Sequence, residues 1–503
     1  MFTFLSAFTE KNNNQRLWEI FGQYKEFMMH TYPEWATYEG DHRYDDRLTD
    51  YSEKAIFKNY ESLQKFHSDL SKIEINTLSD ENKINFALFN NELAEFIDSK
   101  EFNLHYLPIT QLDGIHIDLP QIVDVQPLNT QEDLKKYFFR LKKAPKQIDN
   151  IIANMKEGIK NKITHPKYIC QEILKQIDEI NNLDSEKLPF FVSIKDNHFI
   201  EKESAKQLES ELKQILELEI KVAYEKLYNF LKDEYLPYSR TEAGYWSLEN
   251  GDRIYQHLIK FHTSLNLSPE EIHQIGLNEV KRIKDEMEIV KEQTGFKGTL
   301  QEFNHFLRTD SQFYYTKKED LLNSYRQILS EMDKKLPELF GHLPKATYEI
   351  KEIEEYRAKS APQAFYYSAP DDGSRPGYYY ANTFDLSALP KFTMTALSLH
   401  EAVPGHHLQI ALAQELESFP WFRKHLEMTA FIEGWALYAE SLGYETGMYD
   451  DKYQHYGALT YEMERACRLV IDTGLHHKKW TREQAIEYLK INTPSAEIDI
   501  IAE

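Results

Sequence analysis

Apolar residues return at threes and fours along most of this 503-residue chain. That periodicity commits the chain to amphipathic helices packed on one another. "NQRLWEIFGQYKEFMM" (14–29) shows it, and "TQEDLKKYFFRLKKAPKQIDNIIANM" (130–155) opens with Thr130 and Asp133, an N-cap signature. "LESELKQILELEIKVAYEKLYNFLKDEYLP" (208–237) reads as one long helix ending near Pro237. Ser268, Pro269 and Glu271 supply the cap, the first-turn proline and the capping box of a helix that stops at Gly295. Thr316 with Glu319, and Thr481 with Gln484, announce two further starts. Strand signals are confined to 346–353 and 377–384, with "SAPDDGSRPG" between them as a loop. No repeat, low-complexity tract or Gly/Ser linker interrupts the pattern. The expected fold is mainly α. A helical body over 1–340 continues into 341–503, which carries the small sheet and the helices of a candidate site.

Composition narrows the partners. With 41% hydrophobic and 13% aromatic residues the chain can bury a large core. Its 82 acids against 59 bases give a net charge of −23, which repels phosphate backbones and anionic headgroups. Nucleic acid and membrane are therefore not expected as partners. Cys170 and Cys467 are the only cysteines, so no disulfide framework exists and a single bridge is possible without being implied. The N-terminal "MFTFLSAFTEKNNNQ" lacks a basic leader and a long apolar run, and no segment approaches the ~20 apolar residues of a membrane span. A cytoplasmic protein is the expectation.

One stretch carries chemistry: "LSLHEAVPGHHLQIALAQEL". A helical zinc-hydrolase motif places two histidines four apart with a glutamate beside the first. Here Pro404 stands four after His400, and the next histidines are His406 and His407. On a regular helix six or seven positions separate residues by ~9–10 Å along the axis, too far for shared ligation. Pro404 removes a backbone donor and Gly405 permits unusual dihedrals, the composition of a helix that loops out and returns. The loop would bring either His406 or His407 beside His400. Downstream, "MTAFIEGWALYAESLGYETG" puts Glu433 and Glu440 on nearly one helix face. The expected metal ligands are His400, His406 and Glu433, with Glu440 behind a ligating histidine and Glu401 as the general base. The ion expected from this donor set is Zn²⁺.

These blocks resemble a known family. "HEAVPGHHLQ", "FIEGWALYAE" and "ERACRLVIDTGLHHKKW" are similar to the signatures of the bacterial "domain of unknown function 885" family, as are "PEWATYEGDHRYDDRLTDYS", "LNLSPEEIHQIGLNEVKRI" and "DDGSRPGYYYANT". The resemblance runs from about residue 32 to the end. Family members are grouped with gluzincin-like metallopeptidases. The resemblance therefore implies a two-lobed helical fold with a channel, like that of angiotensin-converting enzyme and thimet-type oligopeptidases. It also implies zinc-dependent hydrolysis of short peptides. Members continue past "SAEIDIIAE" with an Arg-Tyr and then a Pro-Gly-Gln segment, so a shortened C-terminal end is expected.

The stretch "RLVIDTGLHHKKW" puts Arg468 and Asp472 on one helix face with Gly474 as the helix cap, and the resemblance marks His476 as a transition-state donor held by a nearby acid. Without it, His476–His477 reads equally well as a basic helix end. A strand over "RPGYYYANT" would sit at a sheet edge beside the metal and offer Tyr380 or Tyr379 to the oxyanion, while Arg375 reads as a loop arginine. The same site would also serve hydrolysis of another or a modified amide, or a non-catalytic metal-binding protein.

Overall fold

The computed structural model describes residues 2–194, 200–353, 358, 361–371, 373–426 and 428–503. Its helices are built as the periodicity requires, and the chain divides into two compact units. One comprises Met1–Thr241 with Glu417–Leu426, the other Glu242–Leu416 with Glu427–Glu503. The division thus falls at 241, not at 340. Residues 242–340 belong with the C-terminal part because the helix Pro269–Gln293 packs along Lys452–His476, burying Val280, Ile283 and Met287 with Met463, Cys467 and Val470. The short insert 417–426 belongs to the first unit because Phe422 packs against Phe21 and Phe89, with ring centroids 4.8 and 4.9 Å away.

In the first unit, Thr130 and Asp133 form a capping box, and the stretch 130–155 folds as two helices, Gln131–Leu141 and Ala144–Lys160. The helix read over 208–237 is interrupted by π-helical turns at Leu216–Ile220 and Phe230–Tyr235. Its core is aliphatic and tyrosine-rich, built from Ile148, Ile151, Ile173, Ile177, Leu212 and Tyr224 among others. Arg140 sits fully buried beside it. Its guanidinium donates to the carbonyl of Arg47 at 2.8 Å, Gln126 Oε1 at 2.7 Å, Thr37 Oγ1 at 2.8 Å and the Tyr44 carbonyl at 3.0 Å, with Asp45 at 3.9 Å. One side chain therefore ties the segment 33–47 to the helix behind it. Arg140→Met keeps the aliphatic stem and strands these acceptors and the Asp45 charge. It is expected to lower stability by about 3–5 kcal/mol, read from urea unfolding followed by circular dichroism.

The second unit holds the elements of the candidate site. These are α1 (Gly251–Thr263), α2 (Pro269–Gln293), α3 (Lys318–Leu339), β1 (Tyr348–Glu352), β2 (Ala364–Tyr367), β3 (Gly377–Ala381), α4 (Met394–Glu401), α5 (His406–Glu415), α6 (Thr429–Glu445) and α7 (Lys452–His476). The capping boxes at Ser268/Glu271 and Thr481/Gln484 are present, whereas the N-cap position of α3 is Lys317, which makes no side-chain cap hydrogen bond, and not Thr316. The sheet has the order β1-β3-β2, parallel between β1 and β3 and antiparallel between β2 and β3. The strand expected at an edge, β3, is therefore central, and β2, which the sequence left unassigned, holds one edge. α7 runs on through Gly474 to His476, so Gly474 is no cap but a contact point for Trp480. Cys170 and Cys467 are both buried and free.

Candidate metal centre

All eight residues of α4 are buried, so His400 and Glu401 stand in an apolar setting at its C-terminal end. The helix stops there because Pro404 cannot continue it. Residues 402–405 form a loop whose Val403–Pro404 bond is cis, and α5 begins at His406. The loop is closed by the His407 amide donating to the Ala402 carbonyl at 3.1 Å. It is pinned from α6 by Trp435 Nε1, which donates to the Pro404 carbonyl at 2.9 Å. Gly405 passes so close to the end of α4 that a Cβ there would lie 1.8 Å from the His400 carbonyl oxygen. Only glycine allows that approach.

The consequence is a fold-back that places two imidazoles six residues apart in contact. The rings of His400 and His406 lie 4.6 Å apart at 85°. Glu433, reaching in from α6, approaches both, with 3.4 Å between Oε2 and His400 Nε2 and 3.8 Å between Oε1 and His406 Nε2. Donor atoms of the three residues all lie within 4.8 Å of one another. Two ligands at ~2.0–2.1 Å on a tetrahedral zinc are themselves separated by roughly 3.4 Å, so the donors fit such an ion with small adjustments. His407 is not part of the cluster. It is packed between Tyr348 and Tyr366, and its Nδ1 accepts the Tyr366 hydroxyl at 2.8 Å.

The surroundings hold the donors ready. His400 Nδ1 donates to Glu440 Oε1 at 2.7 Å, which leaves Nε2 to face Glu433. Glu440 is itself 4% exposed and is neutralised by Arg465, whose Nη2 lies 2.7 Å from the same carboxylate oxygen. Arg465 was not read from the sequence. The signal was there in its position seven residues before Asp472, hence on the same face of α7. Burial pulls the His400 imidazole down, but the carboxylates of Glu433 and Glu440 outweigh it and raise it to about 9. Hydrogen bonding from His400 holds the Glu433 carboxyl at about 2. Burial, and then the charge of His400, press His406 down to about 4. Two buried imidazoles thus share the carboxylate of Glu433, a donor set that suits a divalent cation.

Glu401, the last residue of α4, is buried next to His400. Burial lifts its carboxyl to about 7, opposed by the neighbouring His400 and, more weakly, by the backbone N–H of Tyr366 on β2. The edge strand beside the centre is therefore β2. Tyr380 does not reach it: it points to the far face of the sheet and stacks on Phe365 at 4.9 Å. The pleat sends its neighbour Tyr379 inward against Tyr325, at 5.2 Å and fully buried. Arg375 donates to the carbonyls of Ser368 and Pro376 within its own loop. His476 is not at the centre either. It lies eleven residues beyond Arg465 on α7, about 16 Å along the axis, clasped between Tyr245 and Tyr255. Arg468 is turned away to Glu503 by two hydrogen bonds.

Comparison with known proteins supports this architecture. The chain is similar to the crystal structure described as "the putative lipoprotein from Colwellia psychrerythraea", with a TM-score of 0.91 and 29% identity over 97% of this chain and 88% of that one. It shares its fold with a second structure, "a putative lipoprotein of unknown function from Shewanella oneidensis", with a TM-score of 0.64 and 16% identity over 96% of this chain and 90% of that one. No curated protein matches it. Among the described residues no helix is long and apolar enough to cross a membrane. The profile of the family described as "Bacterial protein of unknown function (DUF885)" matches residues 33–503, and the chain belongs to that family.

Proposed function

We propose that this protein is a zinc-dependent hydrolase of peptide bonds in short peptides, of the gluzincin-like kind. The observation that carries the reading is the convergence of His400, His406 and Glu433 with a second carboxylate, Glu401, buried next to His400. Three protein donors leave an open position on a tetrahedral ion, the arrangement of a catalytic rather than a structural site. A zinc ion bound there supplies a Lewis acid and makes water acidic enough to ionise near neutral pH. The chain's own residues do the rest. Glu401, lifted to about 7 by burial, takes the proton of the attacking water and returns it to the leaving amine. Glu440, its charge countered by Arg465, favours the His400 tautomer that offers Nε2. The Colwellia psychrerythraea structure is described as a "putative lipoprotein", which favours an exported protein over the cytoplasmic one expected from the N-terminus.

The test is elemental analysis of the purified protein alongside a peptide-library digest read by mass spectrometry. About one zinc per chain is expected from the three-donor set, with cleavage lost on chelation and regained with Zn²⁺. His400→Ala removes one donor and is expected to lose both metal and cleavage. Stoichiometric zinc in His400→Ala, or cleavage that survives chelation, would refute the assignment.

A further inference from the structure

The face of α7 that carries Arg465 to the metal centre does not end there. At 100° per residue Arg465, Asp472 and His476 fall within about 20° of one line on the helix. Asp472 stands about 10 Å from Arg465 along the axis, a distance that about three residues of extended peptide span. Arg468, one turn nearer, is occupied by Glu503, so the charge this stripe offers beyond the centre is the carboxylate of Asp472. Its side chain is 59% exposed.

Around it the chain builds a defined wall. Tyr255 on α1 donates its hydroxyl to Asp472 Oδ1 at 2.5 Å, and His476 Nε2 lies 3.8 Å from Oδ2. The His476 ring is sandwiched by Tyr245 at 4.9 Å and Tyr255 at 5.2 Å, each tilted by little more than 30°. Its Nδ1 accepts the backbone N–H of Tyr245 at 3.1 Å, which puts its proton on the nitrogen facing Asp472. The loop bearing Tyr245 is held against the end of α7 by Gly244, where a Cβ would lie 1.9 Å from the Leu475 carbonyl oxygen. On the other side, His262 at the end of α1 meets Thr429 at 3.1 Å, one helical turn before Glu433 on α6. Within the second unit, α1, which carries one side of the wall, thus touches α6, which carries Glu433.

We infer that Asp472, with the stacked rings of Tyr245, His476 and Tyr255, forms a subsite for a cationic group of the substrate. A carboxylate set among aromatic rings suits an ammonium or guanidinium, which gains both a counter-charge and a π face. The net charge of −23 draws the same ligands toward the protein. The cation has two sources in a peptide, the amino terminus and a basic side chain. The inference rests on the proposed peptide hydrolysis for its purpose, but its test does not.

Three probes separate the sources: penta-alanine amide with a free amino terminus, its N-acetylated form, and N-acetyl-Lys-Ala-Ala-Ala-Ala amide. Binding is measured calorimetrically to the zinc-loaded Glu401→Gln protein, and cleavage is measured with the unaltered protein. One or both cationic probes should bind at least about tenfold tighter than the acetylated neutral one. Asp472→Asn, which still offers an acceptor to Tyr255, should bring the ratio close to one. A preference for the first probe identifies the amino terminus, and for the third a basic side chain. Equal binding of all three by the protein with Asp472 intact, or a preference that survives Asp472→Asn, would overturn the subsite. Charge-selective binding with no cleavage would overturn the peptidase reading and leave the subsite standing, and cleavage without charge selection would do the reverse.

Discussion

Glu401→Gln is expected to retain zinc at the level of the unaltered protein while slowing peptide hydrolysis by about 10²–10⁴-fold, the range general-base catalysis contributes. The two side chains have the same shape, so the packing at the end of α4 is preserved. Glutamine can still accept the Tyr366 N–H that the carboxylate accepts. What it cannot do is take a proton. Glu401 is 9% exposed and its carboxyl is lifted to about 7, so it exchanges protons close to neutral pH, where the work of a general base is done. The ligands themselves are untouched, since none of the three close donor contacts involves Glu401. Zinc by elemental analysis and kcat from the same preparation decide the matter. A loss of rate below tenfold, or a parallel loss of zinc, would remove Glu401 from the proposed role.

The parts of this site that were legible in the sequence are those set by local chemistry. The proline-glycine pair in a buried apolar run announced a broken helix, because both residues act on their own backbone. His400, His406 and Glu433 followed from that break and from helical spacing. Ser268, Thr130 and Thr481 marked helix starts for the same local reason, although Thr316 did not, its helix beginning two residues later. What the sequence left open or misplaced depended on contacts remote in it. The choice between His406 and His407 is made by Tyr348 and Tyr366 receiving His407. β3 is central because β1 and β2 pair on either side of it, and β2, four residues long, is too short for an alternation to show. The division at 241 follows from α2 lying along α7, nearly two hundred residues apart. His476 was assigned from a motif rather than a position, and the motif does not say how far along its helix a residue stands.

The break itself can be tested without touching a donor. Gly405→Ala adds one methyl group where the nearest atoms are the carbonyl oxygens of His400 at 1.8 Å and Leu399 at 2.4 Å. Both are backbone, so no side chain can swing aside, and relief requires the start of α5 to move by an ångström or more relative to the end of α4. His406 moves with it. Because His400 and His406 lie on opposite sides of the clash, the displacement falls directly on the separation that lets them share an ion. Misplacement of this size costs about 10²-fold in a positioned reaction, and zinc affinity should fall at least as far. Gly434→Ala is the matched control. It lies next to Glu433 on α6, and a Cβ there meets nothing within 4 Å. In mid-helix it should stabilise by about 0.5–1 kcal/mol with zinc retained. If Gly405→Ala also retained zinc with unchanged affinity, measured by competition with a coloured chelator, the fold-back would not be what assembles the ligands. If instead the two alanines diverge as described, the chain departs from the usual helical spacing because a backbone turn, rather than a helix face, sets the distance between its histidines.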